Sequence, residues 1–295
     1  MIEVRRAESD EDLEAWARVK RAVLPNESAW TVQEFRERAD PETLVLVAEV
    51  DGEVVGAGLA GRSDVKGRGF VAPRVHPDAR RRGVGSALLV SLLKHVAGLG
   101  VGNVWASVGD EGSRAFAEHF GFEEVDREVE QVIALHAELP EAPLPAGVEV
   151  VSIAERPELL AEAYPLAAEE GYPDLAVDGE VVVKLEDWLR DEATLPEGSL
   201  VALHDGRIVG YSGLVQHDSA GVAEDGLTVV ARDWRRRGLA VALKRLELAW
   251  AAANDFHEVV TWTQRGNEGM RLVNEKLGYE YRTIALKMMT TVPRA

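Results

Sequence analysis

Cysteine is absent from the 295-residue sequence, which removes disulfides, thiolate nucleophiles and Cys-ligated zinc or iron–sulfur centres together. Histidine offers no substitute. The seven His residues form no i, i+4 pair and no HExxH, so no metal site is expected. Basic residues are the scarcer charge, 33 Lys plus Arg against 51 Asp plus Glu. The net charge of −18 argues against a nucleic-acid binder, which needs a basic face to neutralise phosphates. The excess acid serves solubility or steers cationic ligands. No run of 18 apolar residues occurs, and the opening MIEVRRAESDEDLE carries charge from its third residue. Neither a membrane span nor a secretory apolar core is expected, and the expected address is the cytoplasm.

What is present is repetition. LVLVAEVDGEVVGAGLAG at 44–61 returns as SLVALHDGRIVGYSGLV at 199–215, DARRRGVGSALL at 78–89 as DWRRRGLAVALK at 233–244, and EHFGF at 118–122 as EKLGY at 275–279. Gly52 and Gly206 are 154 residues apart, Gly83 and Gly238 are 155, and Gly121 and Gly278 are 157. Anchors at nearly one offset describe two domains of the same design, in keeping with a length near twice the ordinary ~150 residues per domain. The expected domains are 1–138 and 148–295, joined by LPEAPLPAG at 139–147, where prolines and glycine interrupt regular structure.

Each half reads as β-α-α-β-β-β-α-β-α-β, an α+β fold with a central mixed sheet flanked by helices. In the first half the strands are expected at 2–5, 43–50, 53–62, 69–76, 103–108 and 128–136, with later helices at 83–98 and 112–120. In the second, helical patterns cover 158–170 and 180–195, the Asp205-Gly206 turn joins two strands, and VAEDGLTVV (222–230) is a third. Leu239, Leu243, Leu246 and Trp250 then recur at helical spacing.

At one junction in each half a strand ends (Val75; Val230), arginines and small residues form a turn, and a long helix begins. A helix N-terminus presents unpaired N–H groups and a positive dipole end. Glycine or alanine at 83, 85, 238 and 240 lets a ligand approach that backbone, and the arginines add charge that suits phosphate oxygens. This is the physics of a pyrophosphate cradle. A Walker A loop is absent, a Rossmann fingerprint lacks its third small residue (Leu88 stands there in the first copy), and no G-x-S-x-G elbow occurs.

The pattern R-x-x-G-x-(G/A), standing as Arg80–Gly85 and Arg235–Ala240, resembles the signature of the GCN5-related N-acetyltransferases (GNAT), and the element order is similar over both halves. The second copy adds Asn267 and Leu277-Gly278-Tyr279, where the family writes Asn and then (L)GF. The layout is similar to that of tandem two-domain members, mycothiol synthase among them. The resemblance implies acetyl-CoA as cosubstrate and no metal. The pyrophosphate would lie on Arg80, Arg81, Arg82, Gly83, Val84, Gly85 and Ser86 in the first copy. In the second it would lie on Arg235, Arg236, Arg237, Gly238, Leu239 and Ala240, with Asn267 nearby. Pantetheine would follow the strand that ends at Val75, or at Val229 and Val230, where two central strands splay apart.

The resemblance further implies direct attack of a primary amine on the thioester, a route that the absence of cysteine suits. It implies an oxyanion donor at the N–H of Val229 or Val230 and an acid seven residues after the Asn. That position is Asn274, which donates a hydrogen bond but is no acid at neutral pH. Tyr279 and Tyr211 are substitutes by residue type, and water is a third source of the proton. The first copy departs further, with Asp110 and Ala117 at the Asn and Tyr positions, so the second domain is expected to react while the first binds CoA weakly or is structural. For the base, Glu224 and Asp225 lie on the strand before Val230. Even spacing favours Glu224, and a β-bulge would reverse that parity. His217 and Asp218, and Glu169, Glu170, Tyr172 and Asp174, are expected near the acceptor, where acid suits a cationic amine. The expected activity is N-acetylation of a small molecule or peptide by a monomer or homodimer without nucleic-acid or membrane partners. The alternatives are a non-catalytic acyl-CoA sensor or scaffold, and mycothiol synthase itself.

Overall fold

A computed structural model describes residues 1–25, 29–38, 40–135, 143–175, 178–217 and 219–292. Residues 139–142 of the expected linker, His136 and Asp218 lie outside the described residues. The chain divides into two compact units, Met1–Asp126 with Leu286–Ala295, and Arg127–Ala285.

In the first unit, β1 (Ile2–Arg6) leads into α1 (Asp10–Val23) and α2 (Val32–Glu37), then β2 (Leu44–Val50), β3 (Glu53–Arg62) and β4 (Arg68–Val75). After these come α3 (Val84–Gly98), β5 (Asn103–Val108) and α4 (Glu111–His119). Both early helices open on capping boxes, Ser9 with Asp12 and Thr31 with Glu34, which satisfy backbone N–H groups a first turn leaves unpaired. The sheet is antiparallel from β1 through β4, and β4 then pairs in parallel with β5. Strand alternation divides β2 between two cores. Leu44, Leu46 and Ala48 pack with Leu88, Leu89 and Leu92 of α3, while Val47 packs with Trp16 and Phe35.

The second unit repeats this order. β7 (Glu149–Ser152), α5 (Glu158–Leu166), α6 (Leu185–Asp191), β8 (Leu200–His204) and β9 (Arg207–Gln216) are followed by β10 (Val222–Val230), α7 (Leu239–Ala253), β11 (Glu258–Gln264) and α8 (Glu268–Leu277). The sheet runs antiparallel from β7 to β10, and β10 pairs in parallel with β11. One face carries α5 and α6, with Trp188, Tyr211 and Val229 in its core. The other carries α7, with Leu239, Leu243 and Val230.

Two helical segments differ from their sequence patterns. The 158–170 stretch is helical only to Leu166 and continues as a π-turn over Ala167–Gly171. Pro165 has no N–H to give the ladder, which forces that change. The 180–195 stretch is helical only over Leu185–Asp191, because the β-branched run Val181–Val183 resists helix.

The closing strands depart from the expected division of the chain. β6 (Glu123–Ala134), read from the sequence as the end of the first copy, pairs antiparallel with β11 over residues that belong to the second unit. β12 (Glu280–Thr291) supplies Leu286–Thr291 to β5 in the first unit. Each unit therefore draws its last strand from the other half of the sequence.

Candidate active site

The two arginine turns share one backbone. A short 3-10 turn, Pro77–Ala79 or Arg232–Trp234, follows the strand. Arg81 and Arg236 then adopt left-handed φ of 65° and 61°, and Gly83 and Gly238 follow at 88° and 86°. Left-handed residues repeated within one such turn can aim successive N–H groups into one concavity, an anion nest. Neither helix N-cap has a side-chain cap, so no capping side chain occupies the first amides of α3 or α7. A Cβ at Gly238 would meet nothing within 4 Å. Val84 and Leu239 point into the core, so only their backbone can serve a ligand.

The arginines are not equivalent. Arg235 donates through Nε to the Val230 carbonyl at 2.9 Å and is ion-paired with Asp174 and with Glu170, the latter at 3.6 Å. Glu170 also accepts the Arg232 N–H at 2.6 Å. Glu170 and Asp174, expected near an acceptor, are thus committed to the arginines that brace the turn, and Tyr172 is buried beside Trp188. Arg237 lies 4.6 Å over the Trp234 ring and donates to the Asp233 carbonyl.

Upstream of each turn the parallel ladder stops early. β10 pairs with β11 only through Val222, Ala223 and Glu224, and β4 with β5 only through Arg68, Gly69 and Phe70. Beyond these residues each strand offers an edge on which an extended, amide-bearing ligand can be received by main-chain hydrogen bonds. The two copies differ at the next step. Between Asp225 and Thr228 the β10–β9 register shifts by one residue, a bulge, whereas β4 pairs with β3 without interruption.

The bulge reverses the parity expected from spacing. Asp225 shares the α7 face with Val230, and its Oδ2 accepts from Lys244 Nζ at 2.6 Å. The same oxygen accepts the Tyr279 hydroxyl proton. Glu247, also buried, accepts from Ser212 Oγ at 2.8 Å, and Ser212 is 2.9 Å from Thr228 Oγ1. Burial first, and then Asp225, raises both Glu247 and Tyr279 well above their ordinary values. Asp225 and Tyr279, proposed from sequence for proton transfer, are therefore bonded to each other and sealed into a core network. Asn274 is buried and donates to Gln131 Oε1 at 3.0 Å. Asn267 accepts the Met270 N–H as the N-cap of α8. His217 accepts the Ser219 N–H at 3.1 Å.

Glu224 is on the opposite face, where sequence reasoning missed a neighbour. Glu192, at the end of α6, accepts the Leu227 N–H inside the bulge at 2.7 Å. Burial, opposed by that N–H and reinforced by Asp191 and Glu224, pushes its carboxyl up to about 7. The hydroxyl of Tyr211 donates to the Glu192 carbonyl at 3.2 Å.

In the first copy Asp110 serves as N-cap of α4, accepting the Ser113 N–H, and a Cβ at Gly85 would meet Phe116 and Val75 at 3.5 Å. Lys244 and Glu247 were legible in principle, because the repeat sets them opposite Leu89 and Leu92. Among the described residues no cluster of three or more His, Cys, Asp or Glu could hold a metal, and no helix is long and apolar enough to cross a membrane.

Comparison with known proteins agrees with this geometry. The acetyltransferase (GNAT) family profile matches residues 6–122 and 158–279. A mycothiol acetyltransferase of Clavibacter michiganensis subsp. michiganensis is 34% identical over 238 residues, covering 77% of this chain and 74% of the relative. That of Mycolicibacterium vanbaalenii is 30% identical over 264 residues, 84% of this chain and 83% of the relative. The fold matches a tandem GNAT protein from the clavulanic acid biosynthesis pathway with a TM-score of 0.79 at 22% identity, over 100% of both chains. It also matches a GCN5-related N-acetyltransferase from Sphaerobacter thermophilus, with a TM-score of 0.76 at 23% identity over 99% of this chain and 96% of the other. With the doubled turn, the interrupted ladders and a family match over both halves, the chain belongs to the acetyltransferase (GNAT) family.

Proposed function

We propose that the protein is an acetyl-CoA-dependent N-acetyltransferase that reacts in its second unit and moves the acetyl group directly to a primary amine of a small molecule or peptide. The observation that carries this reading is the continuous path on β10. An open edge runs from the bulge at Asp225–Thr228 to an uncapped amide nest at Arg236–Gly238. The nest amides and Arg236 suit a pyrophosphate, with Arg235 bracing the turn from Val230. The strand N–H groups at Val229 and Val230 suit the pantetheine amides and the developing oxyanion. Glu224, on the face opposite the sealed Asp225, is the carboxylate offered to an ammonium. With the Tyr279 hydroxyl given to Asp225 and that of Tyr211 to the Glu192 carbonyl, the thiolate is protonated by water reaching the open edge. The first unit, which lacks the bulge and has Phe116 against its turn, is a structural or weak CoA-binding copy.

The relatives' name, mycothiol acetyltransferase, supports a second reading of the activity, mycothiol synthase, against which stands Asn274 at the family's Tyr position. Calorimetric titration with acetyl-CoA, followed by mass spectrometry of amines incubated with the protein, tests the proposal. Binding with an acetylated amine supports it, and absence of acetyl-CoA binding overturns it.

A further inference from the structure

The bulge in β10 holds a side chain as well as redirecting a strand. Glu192 reaches it from the end of α6, and its Oε1 accepts the Leu227 N–H at 2.7 Å. The surrounding backbone is cleared for that carboxyl. A Cβ at Gly226 would lie 2.9 Å from Glu192 Oε1, and one at Gly213 would lie 2.9 Å from it and 2.6 Å from the Glu192 carbonyl oxygen. A Cβ at Gly226 would push the seated carboxyl aside, and one at Gly213, on the adjacent strand, would also meet the fixed Glu192 backbone and the Tyr211 hydroxyl. By the repeat, Leu59 of the first copy stands where Gly213 stands, so the seat exists in one copy. Among the described residues Oε2 of Glu192 has no hydrogen-bond partner. The groups that act on the carboxyl are Asp191 beside it, Glu224 on β10, Tyr211 on β9 and Glu247 on α7, and all of these are acids. Arg190 is turned to Asp187 and Asp191.

A carboxyl seated at a strand bulge beside Glu224, and short of a counter-charge, is arranged to receive a cation. We propose that Glu192 and Glu224 form a carboxyl pair that binds the ammonium of a cationic primary amine, and that Glu192 takes its proton. This rests on the acetyltransferase reading above and specifies the acceptor as cationic and the proton acceptor as Glu192. The ammonium N–H bond breaks with its proton passing to Glu192. The freed nitrogen lone pair forms the C–N bond, the C–S bond breaks, and its electron pair leaves on the thiolate. The second nitrogen proton reaches the thiolate through water, and Glu192 returns its own proton to solvent when the amide departs. Burial holds Glu192 at about 7, which matches a base working near neutrality. Two adjacent carboxylates resist joint ionisation, and an ammonium between them relieves that repulsion.

The test compares wild type with Glu192→Gln, which keeps an oxygen for the Leu227 N–H. Turnover is followed by CoA release from pH 5.5 to 9 with spermidine, glucosamine and a lysine-amide peptide as amines, and the carboxyl is followed by carbon-13 titration. We expect Glu192→Gln to lower kcat by at least ~100-fold, within the span of general-base effects. It should also abolish the acid limb of the pH profile and leave the KM for acetyl-CoA within twofold. The Glu192 carboxyl, assigned by its loss in the variant, should titrate near neutrality. An unchanged rate and pH profile in Glu192→Gln, or titration of Glu192 in the ordinary carboxylate range, would overturn the proposal and leave the acetyltransferase reading standing. A wild-type protein that releases no CoA with any of these amines would overturn that reading, and this one with it.

Discussion

Lys244 Nζ lies 2.6 Å from Asp225 Oδ2, and both side chains are sealed in the core of the second unit. By the repeat and the strand register, Leu89 and Val71 occupy the same two places in the first unit, and Leu92 and Phe122 stand where Glu247 and Tyr279 stand. One design thus packs an apolar core in one copy and an ionic one in the other.

That pairing sets opposite outcomes for single and joint substitution. Lys244→Met leaves the Asp225 carboxylate buried without a cation and should cost ~3–5 kcal/mol in urea unfolding. The joint change Asp225→Val, Lys244→Leu, Glu247→Leu, Tyr279→Phe rebuilds the first unit's apolar set and should be neutral or stabilising. A joint variant less stable than Lys244→Met would contradict this account of the network.

The two glycines of the arginine turns should respond unequally in function and alike in strain. Both stand at φ near +87°, where a β-branched side chain costs on the order of 1–2 kcal/mol. Gly238→Val should abolish acetyl-CoA binding to the second unit and remove turnover, while Gly83→Val should lower turnover less than threefold. Calorimetry and a rate assay on the two variants read this directly, and equal loss of turnover would refute the division of labour.

Stability should respond to pH through carboxyls shifted in opposite directions. Hydrogen bonding to Arg5, then the Glu8 and Ser9 amides, holds Asp12 well below the usual carboxylate range. Its contribution is present above the unfolded value and is lost as pH falls through the folded one. Glu192 and Glu247 are raised by burial, so the folded state keeps protons that the unfolded chain has released, and stability declines as pH rises toward 7 and beyond. Urea midpoints should therefore be highest around pH 5, with a smaller drop between about pH 5 and 7.5 in Glu192→Gln than in wild type. A wild-type midpoint that rises steadily from pH 5 to 7.5 would contradict these shifts.

Much of the fold was legible because its signals are local. The Asp205-Gly206 hairpin, the Gly83 and Gly238 helix starts and the apolar stripe of α7 each follow from a few neighbouring residues. The strand exchange was not, because β6 and β12 carry similar patterns and nothing local says which sheet edge a closing strand will find. The site was legible where backbone chemistry decides, at the two turns. It was hidden where a single bulge decides, since the extra residue between Asp225 and Thr228 turns Asp225 into the core and leaves Glu224 opposite it. Glu192 gave no periodic or spacing signal at all. Its position depends on where α6 ends, and that helix stopped short of its sequence pattern.

The most direct test of the central claim is release of the CoA thiol by the full chain given acetyl-CoA and a panel of primary amines. Amine-dependent thiol release, matched one for one by N-acetylated product and lost in Gly238→Val, is the expected result. Tight acetyl-CoA binding with no thiol release from any amine would contradict it and identify an acyl-CoA-binding protein instead.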